Sequence, residues 1–207
     1  VIQFMEPLVE ADDVISYIKN NTMFVDWQKV IVSADKDFIQ LLDDKTILHR
    51  PIQKEYLNKN NIVEKFGIHP NNFALARAIV GDSSDNLPGV PRVGMETVAK
   101  RFSFLKEERP YYLSDVIAEC EKLENKQKVF SNIKESKELI ENNYDIMQLS
   151  SPMLSIQAKQ GIDDTFEQYK PHYNQTEIRK LMLQDGVLTV TTTDLEQRFN
   201  NIITSFS

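Results

Sequence analysis

The sequence predicts an α/β core followed by a helical lobe, and three observations support this fold class. Short apolar segments of strand character alternate with segments of helical periodicity as far as about Val80, which is typical of a largely parallel sheet flanked by helices. From Gly81 to about Leu149 the strand-like segments stop, and helical patterns separated by Gly and Pro turns take their place. The chain has 207 residues, 41% of them hydrophobic and 27% charged, so it is long enough to bury a sizeable core.

Each element of the α/β region has its own signal. Val14, Ile15 and Ile18 recur at helical spacing. The β-branched run from Val30 to Val32 indicates a short buried strand. An asparagine after Pro70 is the expected cap of a later helix. The predicted elements, in chain order, are a strand at Val1–Met5, a helix at Ala11–Asn20, a strand at Val30–Val32, a short helix after Asp37, a strand at Thr46–Leu48, and helices at Tyr56–Phe66 and Asn71–Val80.

We expect three parts along the chain. Residues 1–80 belong to the α/β core, and residues 81–149 form the helical lobe, which includes a charged helical stretch from Leu113 to Ile146. Residues 150–207 form a C-terminal helical extension with helices at about Glu177–Leu183 and Asp194–Ile203. The sequence assigns no role to this extension.

Composition excludes some classes of protein and leaves others open. No apolar run approaches the roughly 20 residues of a membrane span, and the N-terminus lacks the pattern of a signal peptide. Cys120 is the single cysteine, which excludes an internal disulfide and fits a reducing compartment. The formal net charge of −7 argues only weakly against nucleic acid as a partner, because net charge does not locate the charges.

Seven carboxylates form three groups at places where an α/β sheet can build a site. Ligand sites in open α/β sheets lie beyond the carboxyl ends of the strands. Seven such groups would repel one another without a cation, and hard oxygen ligands without His or Cys suit two Mg²⁺ or Mn²⁺ ions. Taken alone, each group is more often a helix cap or dipole complement. The candidates are Glu10, Asp12 and Asp13, then Asp35 and Asp37, then Asp82 and Asp85.

A glycine-spaced turn follows the last acidic group. The stretch Gly89-Val-Pro-Arg-Val-Gly94 leads into a helix start at Glu96, and glycines at a helix N-terminus let backbone amides approach a phosphate. Such a turn would hold a sugar–phosphate backbone without reading bases. A plain connection between two helices is the alternative. The local basic residues are Arg92, Lys100, Arg101, Lys106 and Arg109.

Three segments closely resemble consecutive motifs of the flap endonuclease family, which includes phage 5′-exonucleases and the 5′-nuclease domain of bacterial DNA polymerase I. The segments are EADDVISYI, VIVSADKDFIQLL and ARAIVGDSSDNLPGVPRVGMETVAKRF. Their order and intervals agree with the family from Val1 to Phe102, and the similarity is fainter from Lys126 to Leu149.

The resemblance implies a PIN-like 5′-nuclease core with a helix–hairpin–helix motif, and hydrolysis of phosphodiesters near a 5′ end or flap junction. A metal-activated water would attack while a second ion steadies the leaving oxygen. Glu10 and Asp12 would lie nearest the first ion, with Asp13 acting through water or as a bridge. Asp35, Asp37, Asp82 and Asp85 would complete the second site.

For the hairpin, the resemblance implies contact with duplex DNA and binding of K⁺. The implied substrates are 5′-flap, nicked or branched duplexes or an RNA–DNA hybrid, and the implied task is removal of RNA primers or flaps in a bacterial or phage-infected cytoplasm. No membrane partner is expected. The DNA-binding candidates are Gly89, Val90, Arg92, Val93, Gly94, Thr97, Lys100 and Arg101.

The chain departs from the family pattern in two ways. Arg92 stands where the hairpin usually has Gly, which weakens the expectation of the usual turn and of K⁺. The family's first acidic strand and helical arch are also lacking, since the acidic motif begins at Glu10. We therefore expect this chain to be the C-terminal part of the nuclease and to need an N-terminal part as partner. A non-catalytic DNA-binding module and a metal-binding structural protein are the competing interpretations.

Overall fold

The structure, a computed structural model, describes residues 2–5, 7, 9–122, 128–170, 172–187 and 189–205. It divides into two compact units. One consists of Leu8–Leu154, and the other combines Val1–Pro7 with Ser155–Ser207. The predicted boundary near residue 80 falls within the first unit.

A three-stranded mixed sheet lies in the Leu8–Leu154 unit. The strands are β1 (Lys29–Val32), β2 (Thr46–Arg50) and β3 (Glu55–Leu57), in that spatial order. β1 and β2 are parallel, as the sequence predicts, and Val30 is opposite Ile47. β3 returns antiparallel to β2, with His49 opposite Tyr56.

Helices make up most of the rest of the described chain. A 3-10 helix at Asp37–Leu41 follows β1. The α-helices are α1 (Ala11–Asn20), α2 (Lys59–Phe66), α3 (Phe73–Val80), α4 (Met95–Arg101), α5 (Leu113–Lys122), α6 (Lys128–Glu135), α7 (Lys137–Met147), α8 (Ile156–Gln168), α9 (Gln175–Gln184) and α10 (Thr192–Ser205). Short 3-10 helices also occur at Thr22–Phe24, Pro70–Asn72 and Ser103–Lys106. The α/β class and the helical lobe are thus confirmed. No helix in the described ranges is both long and apolar enough to span a bilayer.

The predicted strand at Val1–Met5 is wrong for the residues that can be assessed. Residues 2–5 form no strand, and Val1 lies outside the described residues. The ring of Phe4 instead packs against that of Phe166, with centroids 5.2 Å apart. An apolar run becomes a strand only where another strand pairs with it, and this segment uses its apolar surface against a helix.

The predicted helix from Tyr56 begins too early. Tyr56 lies in β3, and α2 starts at Lys59 behind Asn58, whose side chain accepts hydrogen bonds from the amides of Asn60 and Asn61. The chain reverses into β3 with Lys54 at a φ of 52°. This conformation is unusual for a residue other than glycine. Because no glycine marks the turn between β2 and β3, the sequence did not indicate that the chain reverses there.

The asparagine expected as a cap after Pro70 is present at the N-cap position of α3, as Asn72, but its side chain makes no cap hydrogen bond. The His69 side chain accepts from the amide of Asn71, and α3 begins at Phe73 without a side-chain cap. The buried amide of Asn72 instead donates to the carbonyl oxygens of Leu105, Glu107 and Arg109. It ties α3 to the chain that follows α4.

α3 joins the sheet region to the later helices. It is buried almost all round, with Phe73, Leu75 and Ile79 in the same core as β2 and α7. In α7, the buried amide of Asn143 donates to the carbonyl oxygens of Ala78 (3.0 Å) and Pro88 (2.9 Å). These bonds fix both ends of the acidic turn that follows α3.

Candidate metal centre

A cavity of about 310 Å³ collects carboxylates from three separate parts of the chain, and we call it the acid cavity. The carboxylates come from the start of α1, from the loop after β1 and from the turn after α3. Apolar side chains from that turn and from the end of α7 complete the wall. The lining residues are Glu10, Asp12, Asp35, Asp37, Asp85, Leu87, Ile146, Met147 and Leu149.

The start of α1 presents the first acidic group. Glu10 is the N-cap residue in an extended conformation, and Asp12 and Asp13 lie in the first turn, where negative charge is favoured by the helix dipole. Farther along α1, the hydroxyl of Ser16 donates to the carbonyl oxygen of Leu149. That bond fixes α1 against the chain segment at the base of the cavity.

The loop after β1 presents the second group. The amide of Asp35 donates to the hydroxyl of Ser33 (3.1 Å), and the amide of Asp37 donates to a carboxylate oxygen of Asp35 (2.8 Å). Gln40 then accepts from the amide of Leu149 (2.7 Å) and donates to the carbonyl oxygen of Met147 (2.9 Å). The acidic loop is therefore anchored to the end of α7.

The third group lies in a tight turn. Asp82 and Leu87 form an isolated antiparallel bridge, and the chain between them reverses with Asn86 at a φ of 59°. Gly81 has a φ of 78°, and a Cβ there would lie 2.3 Å from the amide nitrogen of Gly89. A side chain would separate the two ends of the turn, so this glycine is required by the fold.

Asp37, Asp82 and Asp85 each offer an oxygen within 4.8 Å of those of the other two. Three carboxylates at this separation fit a hard divalent cation, which prefers oxygen ligands. Asp82 is held in place because its carboxylate accepts from both the amide and the hydroxyl of Ser84. The turn thus brings Asp82 and Asp85 together although it is not helical.

Arg77 lies against this group and was not among the site residues predicted from the sequence. Its Nε donates to Asp37 at 2.9 Å, and its terminal nitrogen donates to Asp82. Only 14% of the Arg77 side chain is exposed. Its position in an apolar helix, five residues before Asp82, could have indicated from the sequence that Arg77 lies near Asp82. The pairing of Arg77 with Asp37, 40 residues away in the chain, could not be predicted from the sequence.

The electrostatic environment raises the pKa of some of these carboxylates and lowers that of another. Burial and the neighbouring charges of Asp35, Glu10, Asp37 and Asp13 raise the pKa of Asp12 to about 6. Burial also raises the pKa of Asp37, although Arg77 opposes the shift. Hydrogen bonds from Ser84 and Arg77 lower the pKa of Asp82 to about 2. Part of the cluster is therefore costly to ionise, as expected of a site that a cation would relieve.

Asp13, like Asp82, is not among the described lining residues of the acid cavity, and unlike Asp82 it is also outside the group of three carboxylates that could share an ion. The carboxylate of Asp13 accepts from the amide of Met153 at 3.1 Å. Its charge still reaches the site, since it contributes to the raised pKa of Asp12.

The hairpin, defined as Gly89–Lys100, begins in the core and then turns to the surface. Val90 and Val93 are buried, and the amide of Val93 donates to the carbonyl oxygen of Val90 at 3.1 Å. Arg92 has a φ of 63° in this turn, so an arginine adopts the left-handed conformation expected of glycine. The amide of Asn132 in α6 donates to the carbonyl oxygen of Pro91 at 3.0 Å and braces the turn.

The predicted DNA-binding residues separate by exposure. Val90 and Val93 belong to the core, and Gly89 is partly buried where it passes the carbonyl oxygen of Val80. A Cβ at Gly94 would meet no atom within 4 Å, so neither space nor a positive φ requires a glycine there. The exposed members are Arg92, Gly94, Lys100 and Arg101, with Thr97 partly buried.

The fold is that of a bacteriophage 5′-exonuclease. A T5 5′-exonuclease mutant superposes with a TM-score of 0.66 at 23% identity, over 79% of this chain and 68% of that one. T5 flap endonuclease, described as a pseudo-enzyme–product complex with DNA and metal ions, matches with a TM-score of 0.66 at 22% identity over 79% and 61% of the two chains. Another neighbour is described as T5 5′-exonuclease with divalent zinc ions bound.

The sequence comparisons agree with the fold. Residues 2–67 match the family model for the 5′-3′ exonuclease N-terminal, resolvase-like domain. A 5′-3′ exonuclease of Buchnera aphidicola subsp. Schizaphis graminum is 41% identical over 101 residues, 47% of this chain and 35% of the relative. One of Aquifex aeolicus is 36% identical over 91 residues, 44% of this chain and 32% of the relative. Over these matched segments the chain is similar to the flap endonuclease/5′-3′ exonuclease family. Its matches cover about a third of the length of these curated relatives.

Proposed function

We propose that this chain carries most of the metal ligands and the duplex-binding hairpin of a structure-specific 5′ nuclease. The enzyme would hydrolyse phosphodiester bonds near 5′ ends or flap junctions, and would remove RNA primers or flaps during replication in the cytoplasm of a bacterial or phage-infected cell. One observation carries the proposal. Carboxylates from three distant segments converge on the acid cavity, where negative charge would only repel a nucleic acid unless cations were bound.

Two Mg²⁺ ions fit the donor set, and Mn²⁺ should substitute. Asp37, Asp82 and Asp85 would hold one ion, because their oxygens already lie within 4.8 Å of one another. Glu10, Asp12 and Asp35 would contribute to the other from the same cavity. When bound, such ions supply a hydroxide nucleophile and Lewis-acid stabilisation of the leaving oxygen. Asp13 would act indirectly, through its charge or an intervening water.

The hairpin would hold the duplex beside the cavity. Its exposed Arg92 and Lys100, together with the adjacent Arg101, offer positive charge on a chain with a net charge of −7. The open space at Gly94 allows a phosphate to approach the backbone. The carbonyl groups of the Val90–Val93 turn would bind K⁺. DNA binding should then be stronger in KCl than in tetramethylammonium chloride of equal ionic strength, and equal binding in the two salts would exclude the K⁺ site.

An N-terminal part of the nuclease, whether a separate polypeptide or a linked segment, is the proposed partner. In the described chain β1 pairs only with β2, so its outer edge has unused hydrogen-bonding groups. Val30 and Val32 are 53% and 63% exposed, beside an apolar groove that Ile15 and Ile18 also line. A strand added in parallel at this edge would end next to the acid cavity and could supply a further carboxylate.

The partner surface can be tested with a charged edge residue, which discourages strand addition. Val32→Lys should weaken capture of the separately expressed N-terminal part, whereas Ile156→Lys, which alters another exposed apolar side chain, should not. The unmodified chain should cleave a 5′-flap substrate in Mg²⁺ little by itself and well once the N-terminal part is added. Full activity of the chain alone would refute the need for a partner.

Catalysis is tested by the double variant Asp82→Asn/Asp85→Asn in the complete enzyme. Cleavage should be abolished while duplex binding is kept or strengthened, because negative charge near phosphate is removed. The control, Glu121→Gln/Asp145→Asn, removes two charges from exposed positions and should leave cleavage unchanged. Undiminished cleavage by the Asp82/Asp85 variant would overturn the proposal. If the unmodified complex binds DNA without cleaving it, the chain is a non-catalytic DNA-binding module instead.

A further inference from the structure

Arg77 provides a fixed positive charge inside the candidate metal centre. Its guanidinium bridges Asp37 and Asp82, two of the three carboxylates that could share an ion. All three of these paired side chains are at least 84% covered, with exposures of 14%, 14% and 16%. Among the described residues, no other lysine or arginine forms an ion pair with the carboxylates of the acid cavity or with Asp82.

The bridge connects two segments that lie far apart in the sequence. Asp37 opens the 3-10 helix after β1, and Asp82 begins the turn after α3. Arg77 comes from the last part of α3 itself, whose neighbours Ala76 and Ala78 are fully buried, so its backbone cannot move far. A planar guanidinium with several donors is suited to hold two carboxylates at a fixed separation.

We propose that Arg77 is a positioning residue that acts as an internal counter-ion of the metal centre. It keeps Asp37 and Asp82 at ligand separation when no divalent ion is present. It also lowers the affinity for that ion, because a divalent cation must bind beside an existing positive charge. This inference rests on the proposed metal site but is separable from it.

The test compares neutral and charged replacements in the purified chain. Arg77→Met keeps most of the side-chain length without charge, and Arg77→Gln keeps a donor without charge. Mn²⁺ affinity, measured by isothermal titration calorimetry, should rise roughly tenfold or more in both. Arg77→Lys keeps the charge and should retain an affinity close to that of the unmodified chain.

Thermal unfolding supplies a readout independent of activity. In EDTA the melting temperature of Arg77→Met and Arg77→Gln should fall, because the carboxylates lose their counter-ion. Added Mn²⁺ should then raise it by more than in the unmodified chain. Arg179→Met is the matched control, since Arg179 is an exposed arginine on α9. It should change neither quantity.

The outcomes separate the two proposals. Equal Mn²⁺ affinity in the unmodified chain and the neutral variants would overturn the role of Arg77 while leaving the metal site intact. Absence of Mn²⁺ binding at millimolar concentration in every protein would overturn the metal site itself. If Arg77→Met does not fold, the comparison of Arg77→Gln with Arg77→Lys decides the question in the same way.

Discussion

The acid cavity and the hairpin adjoin in sequence, yet they are built on opposite principles. The acid cavity packs like charges together and raises the pKa of Asp12 to about 6. Arg77 pairs with Asp37 in its wall and with the neighbouring Asp82. The hairpin buries Val90 and Val93 and leaves its basic side chains in solvent. Its arrangement involves no crowding of charge.

This difference predicts how substitutions will behave. In the acid cavity the proposed function conflicts with stability, so neutralising Asp12, whose pKa is raised by its neighbours, should stabilise the metal-free protein while harming activity. In the hairpin the two are separate, because the backbone holds the turn and the exposed side chains make the proposed contacts. Stability and DNA binding should therefore respond to different substitutions there.

The largest effect is expected from the glycine that closes the acidic turn. Gly81→Ala would place a Cβ 2.3 Å from the amide nitrogen of Gly89, at a φ of 78°. The clash and the left-handed backbone together should cost about 3 kcal/mol or more of unfolding free energy. Gly94→Ala, at a hairpin glycine with open space around it, should cost less than about 1 kcal/mol.

Urea denaturation of both variants checks this pair. The hairpin variant should fold normally but bind duplex DNA less well than the unmodified chain, since the Cβ obstructs the approach of a phosphate. Equal stability losses at Gly81 and Gly94 would remove the distinction between the two regions.

The parts of the site that the sequence predicted are those encoded by local pattern. The spacing of Val14, Ile15 and Ile18 predicted α1, and the β-branched run at Val30 predicted β1. These two elements already place Asp12 and Asp35 at the cavity. The periodic pattern of α1 and the end of β1 are sufficient to predict that these two carboxylates lie near one another.

What the sequence did not predict depends on contacts between distant residues or on unusual backbone. β3 follows a reversal in which Lys54, not glycine, has a positive φ. The bridge of Arg77 to Asp37 forms across 40 residues. The apolar residues 2–5 resemble a strand locally, but no described strand pairs with them. Local propensity cannot decide such cases, because the deciding partner is elsewhere in the chain.

A smaller effect of opposite sign is expected at Asp12. Its pKa rises from 3.8 to about 6 on folding, so the folded protein binds the proton more tightly than the unfolded chain. The contribution of Asp12 to stability is therefore greatest below about pH 4, falls between about pH 4 and 6, and stays lower above that window. Discounted for solvent screening, the loss is about 1–2 kcal/mol.

Asp12→Asn should remove this loss. In EDTA at pH 8 the variant should be about 1–2 kcal/mol more stable than the unmodified chain, and at pH 4 the two should be equal. Urea denaturation across this pH range measures the difference. Asp145→Asn, an exposed control, should follow the unmodified chain at every pH. A variant that is less stable than the unmodified chain at pH 8 would show that burial and the neighbouring charges do not destabilise the ionised form of Asp12.

The smallest stability effect is expected at Arg92 in the hairpin. Its φ of 63° costs about 1 kcal/mol for a residue with a Cβ, and glycine relieves that strain but adds freedom to the unfolded chain. Arg92→Gly should therefore change the free energy of unfolding by less than about 1 kcal/mol.

The same substitution should have a clear effect on DNA binding. If Arg92 contacts one phosphate, Arg92→Gly reduces the slope of log affinity against log salt by about 1, equally for unrelated duplex sequences. Lys100→Ala should reduce the slope similarly without touching the turn, and Arg92→Lys should preserve it. A loss restricted to one DNA sequence would indicate base contacts, and an unchanged slope would place the duplex elsewhere. Because Arg92 adopts the backbone that the turn needs, its charge and its conformation can be varied separately. DNA binding at the hairpin would then depend on the charge of residue 92, whereas the stability of the fold would not. The acid cavity would differ, because there the same charges affect both stability and function.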